Sequence, residues 1–279
     1  EKLEHSDMTS ILNRELKRKN KDMNVGEKEQ CIAKFSGMIG FPQCCSLFAQ
    51  DKHLFSQGSD FFRSPEKFLV DNIRNLEPNS FLSLAFLFCV VEIKEEYLSP
   101  SQIIESKKYL PVLEDLVKYL NISFNESTVI SLRECYDHYL GLYVKKVLLC
   151  KHHSGEEVSK LCIQFSHATV YEAVGQVLGD RCPEMVVKHG DSAYLYQRTY
   201  TAEAKDDGSQ NVFVPVSVYG LLVERMVSDV VEKGIVESVV KHSVLKQNLF
   251  LMKLKDELHK GNRIMDFLMA ESKDIFQNV

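Results

Sequence analysis

The sequence has no C-x-x-C pair and no histidine or cysteine at zinc-finger spacing, although it carries eight cysteines. Neither a structural zinc nor a dithiol redox centre is expected. It has no G-x-x-x-x-G-K-[ST] loop to cradle phosphates, no G-x-S-x-G elbow and no H-E-x-x-H helix. No Cys–His nucleophile pair stands out. The chain therefore shows no complete active site and is not expected to be an enzyme on its own. The most apolar run, Phe81–Ile93, is too short to cross a bilayer and reads as a buried core helix. No repeat period of the solenoid kind appears. The net charge is only −5, so no excess of one sign marks nucleic acid or an anionic membrane as partner.

What is present suits a globular protein. With 279 residues, 44% of them hydrophobic, two or three packed units can form. Cys31, Cys44, Cys45, Cys89, Cys135, Cys150, Cys162 and Cys182 lie mostly in apolar runs. They read as buried free thiols, acting as small hydrophobes in a reducing cytoplasm. Asn121-Ile-Ser and Asn125-Glu-Ser match the glycosylation sequon, a short pattern expected to be idle here. The abrupt start reads as that of a fragment.

Helical punctuation dominates the first half. "HSDMTSILNREL" offers a cap at Ser6, Asp7 or Thr9, then Ile11, Leu12 and Leu16 at helical spacing. A second helix is expected over Glu27–Ser36. Gly40-Phe41-Pro42 should begin a third near Pro42, running through Cys45, Leu47 and Phe48. Ser64 and Pro65 open another, with Phe68, Leu69, Ile73 and Leu76 on one face. The buried helix 81–92 follows, then a short helix, then one from Pro111.

The middle changes grammar. "STVISLRECYDHYLG" reads as a helix closed by Gly141. "LYVKKVLLC" and "VSKLCIQF" read as two strands, with Leu161, Ile163 and Phe165 on one face. The intervening "KHHSGEE" reads as a turn, which would leave His152 and His153 as exposed loop residues. "SHATVYEAVGQVLG" returns to helix, with Gly179 as its stop. Helices, a β-hairpin and a closing helix predict a winged helix. From Val216 on, helices are expected again: one carrying Leu221, Leu222, Met226, Val230 and Val231, then Val244–Leu258 and Ile264–Phe276, after a loop at 207–211. The expected architecture is mainly α. A helical domain at 1–76 leads to a winged-helix domain with a small β-hairpin at 77–179, and a C-terminal helical region at 180–279 follows.

The block "GFPQCCSLFAQDKHLFSQGSDFFRSP" resembles a signature region of the animal novel STAND NTPases, multidomain switch ATPases of the NB-ARC-like kind. "HSDMTSILNREL" is similar to the helix that follows their NTPase core. "FSHATVYEAV" is similar to the segment that closes their winged helix, and "VFVPVSVYGLLVERM" and "ESKDIF" to later segments. The resemblance implies a regulatory arm: nucleotide-sensing and autoinhibitory, in cytoplasmic innate-immune or stress signalling. The NTPase core and its Walker motifs would lie upstream in the same polypeptide. ADP or ATP would belong to that parent protein, with no cofactor on this chain alone. By that resemblance Gly40, Phe41 and Pro42 match a G-x-P element whose proline packs against the nucleotide. His167 matches an imidazole that donates to the β-phosphate of ADP, although Ala168 stands where the family has Asp.

Taken without the resemblance, Pro42 is a proline in the first turn of a core helix and His167 a polar helix start. Two other functions fit the same architecture. A nucleic-acid-binding winged helix would use Lys145, Lys146, Lys151, His152, His153 and Lys160, yet its preceding helix carries one Arg beside Glu134 and Asp137. A helical scaffold for protein partners or self-association would show a large exposed apolar patch on its C-terminal helices.

Overall fold

The computed structural model describes residues 3–36, 40–94, 97–153, 156–201 and 211–260, with side chains described outside 149–159 and 260. Its first third is a bundle: α1 (His5–Arg18), α2 (Val25–Lys34), α3 (Phe41–Gln50), α4 (Lys52–Ser56), α5 (Ser59–Arg63) and α6 (Pro65–Arg74). The quoted signature block is the centre of this bundle. Phe48 lies 5.0 Å from Phe55, 5.7 Å from Phe61 and 5.0 Å from Phe62, and Phe41 closes the cluster against Phe35 and Phe62. Cys44, Cys45, Leu47 and Leu54 fill the spaces between the rings. Large aromatic areas removed from water supply most of the drive for this packing.

The winged helix follows: α7 (Pro78–Val90), β1 (Ile93–Lys94), α8 (Pro100–Glu105), α9 (Leu110–Tyr119), α10 (Glu126–His138), β2 (Val144–His153) and β3 (Glu156–Phe165). Its sheet is antiparallel with the order β1-β3-β2. That strand order is the one expected of a winged helix, here with three helical elements between the first two strands where two would suffice. Residues 81–90 of α7 are buried without a break, so α7 is the central pillar. The Tyr136 hydroxyl donates to the Ser83 carbonyl at 2.7 Å and ties α10 to that pillar. α11 (Ala168–Arg181) then packs against both α6 and α7, so bundle and winged helix share one buried cluster.

The remaining elements are α12 (Pro183–His189), α13 (Ser192–Arg198), β4 (Thr199–Tyr200), β5 (Val212–Phe213), α14 (Tyr219–Lys233), α15 (Val236–Val240) and α16 (Asn248–Lys260). They enclose a second cluster built from Leu222, Met226, Val230 and Phe250. The chain is mainly α, as expected. The expected boundary after residue 76 falls between α6 and α7, and the one after 179 falls inside α11.

Several local expectations are corrected. α1 begins at His5 with Glu4 at its N-cap, and none of Ser6, Asp7 or Thr9 caps it; Thr9 and Ser10 bond back to carbonyls four residues earlier. α2 starts two residues earlier than Glu27, because Asn24 and Glu27 form a reciprocal capping box. The hairpin is longer than the β-rich run suggested. His152 and His153 are strand residues, paired in register with Glu157 and Glu156. Gly179 does not stop α11, which runs on to Arg181. It is a point of close approach: a Cβ there would sit 2.3 Å from Val212 Cγ1 of β5. The two-residue parallel pair β4–β5 leaves no period to read, and it was not expected. Residues 264–276 and most of the 207–211 loop lie outside the described residues.

Candidate functional site

Gly40 is the N-cap of α3 and exposed, with the extended backbone that a helix entry needs. Phe41 and Pro42 form the first turn, and Gly40 accepts from the Cys44 N–H at 3.1 Å. The three residues then divide. Phe41 is 2% exposed inside the phenylalanine cluster and offers no surface to a ligand. Pro42 is half-buried, so its ring keeps an accessible side.

His167 is the N-cap of α11, a fourteen-residue helix. Its Nδ1 accepts the Thr169 backbone N–H at 3.1 Å and lies 2.9 Å from the Thr169 hydroxyl. An Nδ1 that accepts is unprotonated, so the neutral ring carries its proton on Nε2. Burial holds the ring's pKa below its usual value; Glu172 works against that shift and Lys145 adds to it. At pH 7 the side chain is thus a neutral imidazole with one N–H donor. Among the described residues that donor has no hydrogen-bond partner. The site combines a free N–H, a helix N-terminus and the nearby Lys145 cation, each of which favours an anion.

The two halves of the candidate site meet opposite ends of α3. Beside His167, Ser166 donates through its N–H to the Tyr143 carbonyl at 2.9 Å and through its hydroxyl to the Leu142 carbonyl at 2.8 Å. The buried Tyr143 hydroxyl donates to Asp51 Oδ2 at 3.3 Å and accepts from the Asn72 amide. Asp51 stands where α3 ends and α4 begins, and its other oxygen accepts from the His53 and Leu54 N–H groups. Gly40–Pro42 begins the same helix, so roughly 15 Å of helix axis separates the two halves at 1.5 Å per residue. The Asp51–Asn72–Tyr143 link fixes the bundle against the hairpin base. Sequence reasoning missed it, because three separate elements supply its members and no local pattern announces them.

The other candidates fall elsewhere. A cleft of ≈ 390 Å³ opens between the start of α2 and the α4–α5 turn, lined by Asp22, Glu27, Phe55 and Gly58 among others. None of Gly40, Phe41, Pro42 or His167 lines it. Six of the seven described cysteines are buried, and none of the seven is in a disulfide. Burial pushes the Cys31 thiol up to about 11 and raises those of Cys44, Cys45 and Cys89 further, so none of these four is a thiolate at neutral pH. The exposed side of α10 presents Glu126, Ile130, Arg133, Glu134 and Asp137. Among the described residues there is no cluster of three or more metal-ligating side chains and no helix long and apolar enough to cross a membrane.

The chain matches no family model, no curated protein and no solved structure.

Proposed function

We infer that this chain is the regulatory arm of a STAND-type switch NTPase, acting in cytoplasmic signalling. The observation that carries this reading is the state of His167. Its Nδ1 is committed to Thr169, its proton sits on Nε2, and that N–H stands unpartnered beside a helix N-terminus and Lys145. A β-phosphate is the ligand such a donor would suit. In this reading the nucleotide's phosphates lie against His167 and its base or ribose lies toward Pro42, with Gly40 allowing the close approach. Phe41 holds the turn in place from inside. The nucleotide is ADP in the resting state, and an upstream core in the same polypeptide supplies the phosphate loop and any hydrolysis.

The resting arm would hold the nucleotide domain closed through these contacts. Exchange for ATP would remove the differential contact that favours the closed state, and the arm would swing away to permit self-association. Ala168 in place of an aspartate bears on this reading. Thr169 takes over one role an aspartate could fill, holding Nδ1 and so setting the tautomer. A nucleic-acid-binding reading is weaker, since the exposed side of α10 carries three acids against one arginine.

The test has two stages. The coding sequence upstream of Glu1 should encode a strand followed by G-x-x-x-x-G-K-[ST]; an open reading frame that starts near Glu1 would remove the reading. In the longer protein, His167→Ala should release ADP a few-fold faster, and an unchanged off-rate would take His167 out of the mechanism.

A further inference from the structure

We propose that the outer edge of β2, residues 145–153, is a docking site where an extended acidic segment of another polypeptide adds as a fourth strand. This goes beyond the switch reading and does not depend on it.

β2 and β3 pair one-to-one over ten residues, from Val144 with Phe165 to His153 with Glu156. β1 meets β3 only at Ile163 and Cys162. Beyond that point β3 pairs with β2 alone among the described residues. β2 is the outermost strand of the sheet. Among the described residues, no backbone hydrogen bond joins 145–153 to anything but β3. Such an edge presents a row of N–H and C=O groups ready for another strand.

Of the usual protections β2 has only its lysines, which repel a basic strand and leave the edge open to an acidic one. β2 has no proline, no glycine and no bulge in its register. It is also apolar where a wing touching only solvent or phosphate would be polar. Leu148 and Leu161 form a cross-strand pair, 59% and 38% exposed. An incoming strand could lay one apolar side chain on that pair and so gain burial as well as ladder bonds.

Charge selects the occupant. The sequence of β2 holds Lys145, Lys146, Lys151, His152 and His153 and no acid, on a chain whose net charge is −5. A second copy of β2 would set lysine and histidine opposite lysine and histidine, which is unfavourable. A segment alternating Asp or Glu with Val, Ile or Leu meets the lysines with carboxylates and Leu148 with hydrocarbon. The free stretch of β3 is less suited, because Glu156 and Glu157 begin it. Duplex nucleic acid fits less well than an acidic strand. Acids share the exposed side of α10, and the exposed Leu148 offers phosphate nothing.

The experiment uses the full chain and a fluorescein-labelled peptide of alternating Glu and Val, about ten residues long to match the strand. Anisotropy should show saturable binding, and amide exchange over 145–153 should slow. Lys145→Glu with Lys151→Glu should weaken binding about tenfold or more, as should N-methylation of alternate peptide amides, which blocks the ladder and keeps the charges. Unchanged exchange over β3 in the variant would show that the hairpin still forms. A peptide of alternating Lys and Val should not bind. Equal binding of the N-methylated peptide would overturn the proposal in favour of loose charge attraction. Absence of peptide binding would overturn it outright. Tighter, steeply salt-dependent binding of a 20-base-pair duplex would overturn it in favour of nucleic acid.

Discussion

The two buried clusters of this protein are built on different principles. The first runs from Leu12 to Val212 and is mainly a jigsaw of rings and aliphatic chains with isolated polar contacts: the Ser83 hydroxyl bonds back to the Asn79 carbonyl, Tyr136 donates to the Ser83 carbonyl, and Tyr143 joins Asp51 and Asn72. The second, from Val187 to Phe250, is smaller and richer in valine, and a buried polar network runs through it. Asp229, fully buried on α14, accepts from Tyr196, Ser192 and Arg225 through one oxygen and from Lys233 through the other. Burial raises its pKa, but Lys233, Tyr196 and Arg225 outweigh that and hold it below the usual carboxylate range. Arg225 goes on to the Val187, Lys188 and Gly190 carbonyls and so gathers the end of α12 onto α14. Nearby, Thr199 joins His242, and Gln247 joins Thr201 and Tyr219. Shape specifies the first cluster. In the second, valines of similar size allow several packings, and the hydrogen bonds select one.

The comparison can be broken at its strongest points first. Phe48→Ala should cost about 3–5 kcal/mol by leaving a cavity among Phe55, Phe61 and Phe62. Asp229→Ala should cost a similar amount, roughly 3–5 kcal/mol, by stranding the buried side of Arg225. Hydrogen exchange separates the two: the first should loosen α3–α6, the second α12–α14. Uniform loosening in both variants would mean that the clusters are one cooperative unit.

Acid should distinguish them next. Burial pushes the His242 imidazole down to about 4, from the usual histidine value near 6.5. The unfolded chain therefore binds the proton first. The stability contributed is fully present above pH 6.5 and is lost as pH falls from there toward 4, by roughly 3 kcal/mol at most. Urea midpoints read from the second cluster should drop across that window. His242→Asn keeps an acceptor for the Val244 N–H and should flatten the drop, at some cost at pH 7. A drop of the same size in the variant would clear His242.

Gly179→Ala tests where the clusters adjoin, since its Cβ would press on Val212, and about 1–3 kcal/mol is expected in thermal or urea unfolding. The smallest effect is a cap. Asn125→Ala removes the acceptor for the Thr128 N–H at the start of α10 and should cost about 1 kcal/mol, read by the same unfolding assay.

Much of the first cluster was legible in advance. Pro42 and Pro65 each lie in the first turn of a helix, and Leu69 and Ile73 face inward as their spacing predicts. The paired cysteines 44 and 45 are buried packing. The alternation of Leu161, Ile163 and Phe165 held only in part. Ile163 and Phe165 are buried, Leu161 is not, and Cys162 on the other face is fully buried. The reason is length: the hairpin outruns the body, so its inner face ends before its apolar pattern does. Of the candidate site, Gly40–Pro42 and His167 were singled out by the resemblance alone, and no sequence pattern announces the tautomer of His167, the inward turn of Phe41 or the Asp51–Asn72–Tyr143 link.

What the sequence by itself determined is the mainly helical character, the helix starts near Pro42 and Pro65, the hairpin and many apolar positions of the first core. These follow from local rules, in which neighbours three or four residues apart decide the outcome. What only the tertiary structure decided is everything that depends on distant partners. Gly179 is a contact rather than a stop because β5 arrives beside it. Asp229 is buried because Arg225, Lys233, Ser192 and Tyr196 converge on it from two helices. The β2 edge is open because β1 joins the sheet on the far side of β3. No local period encodes any of these, since each is fixed by which segments come to lie side by side when the chain closes on itself.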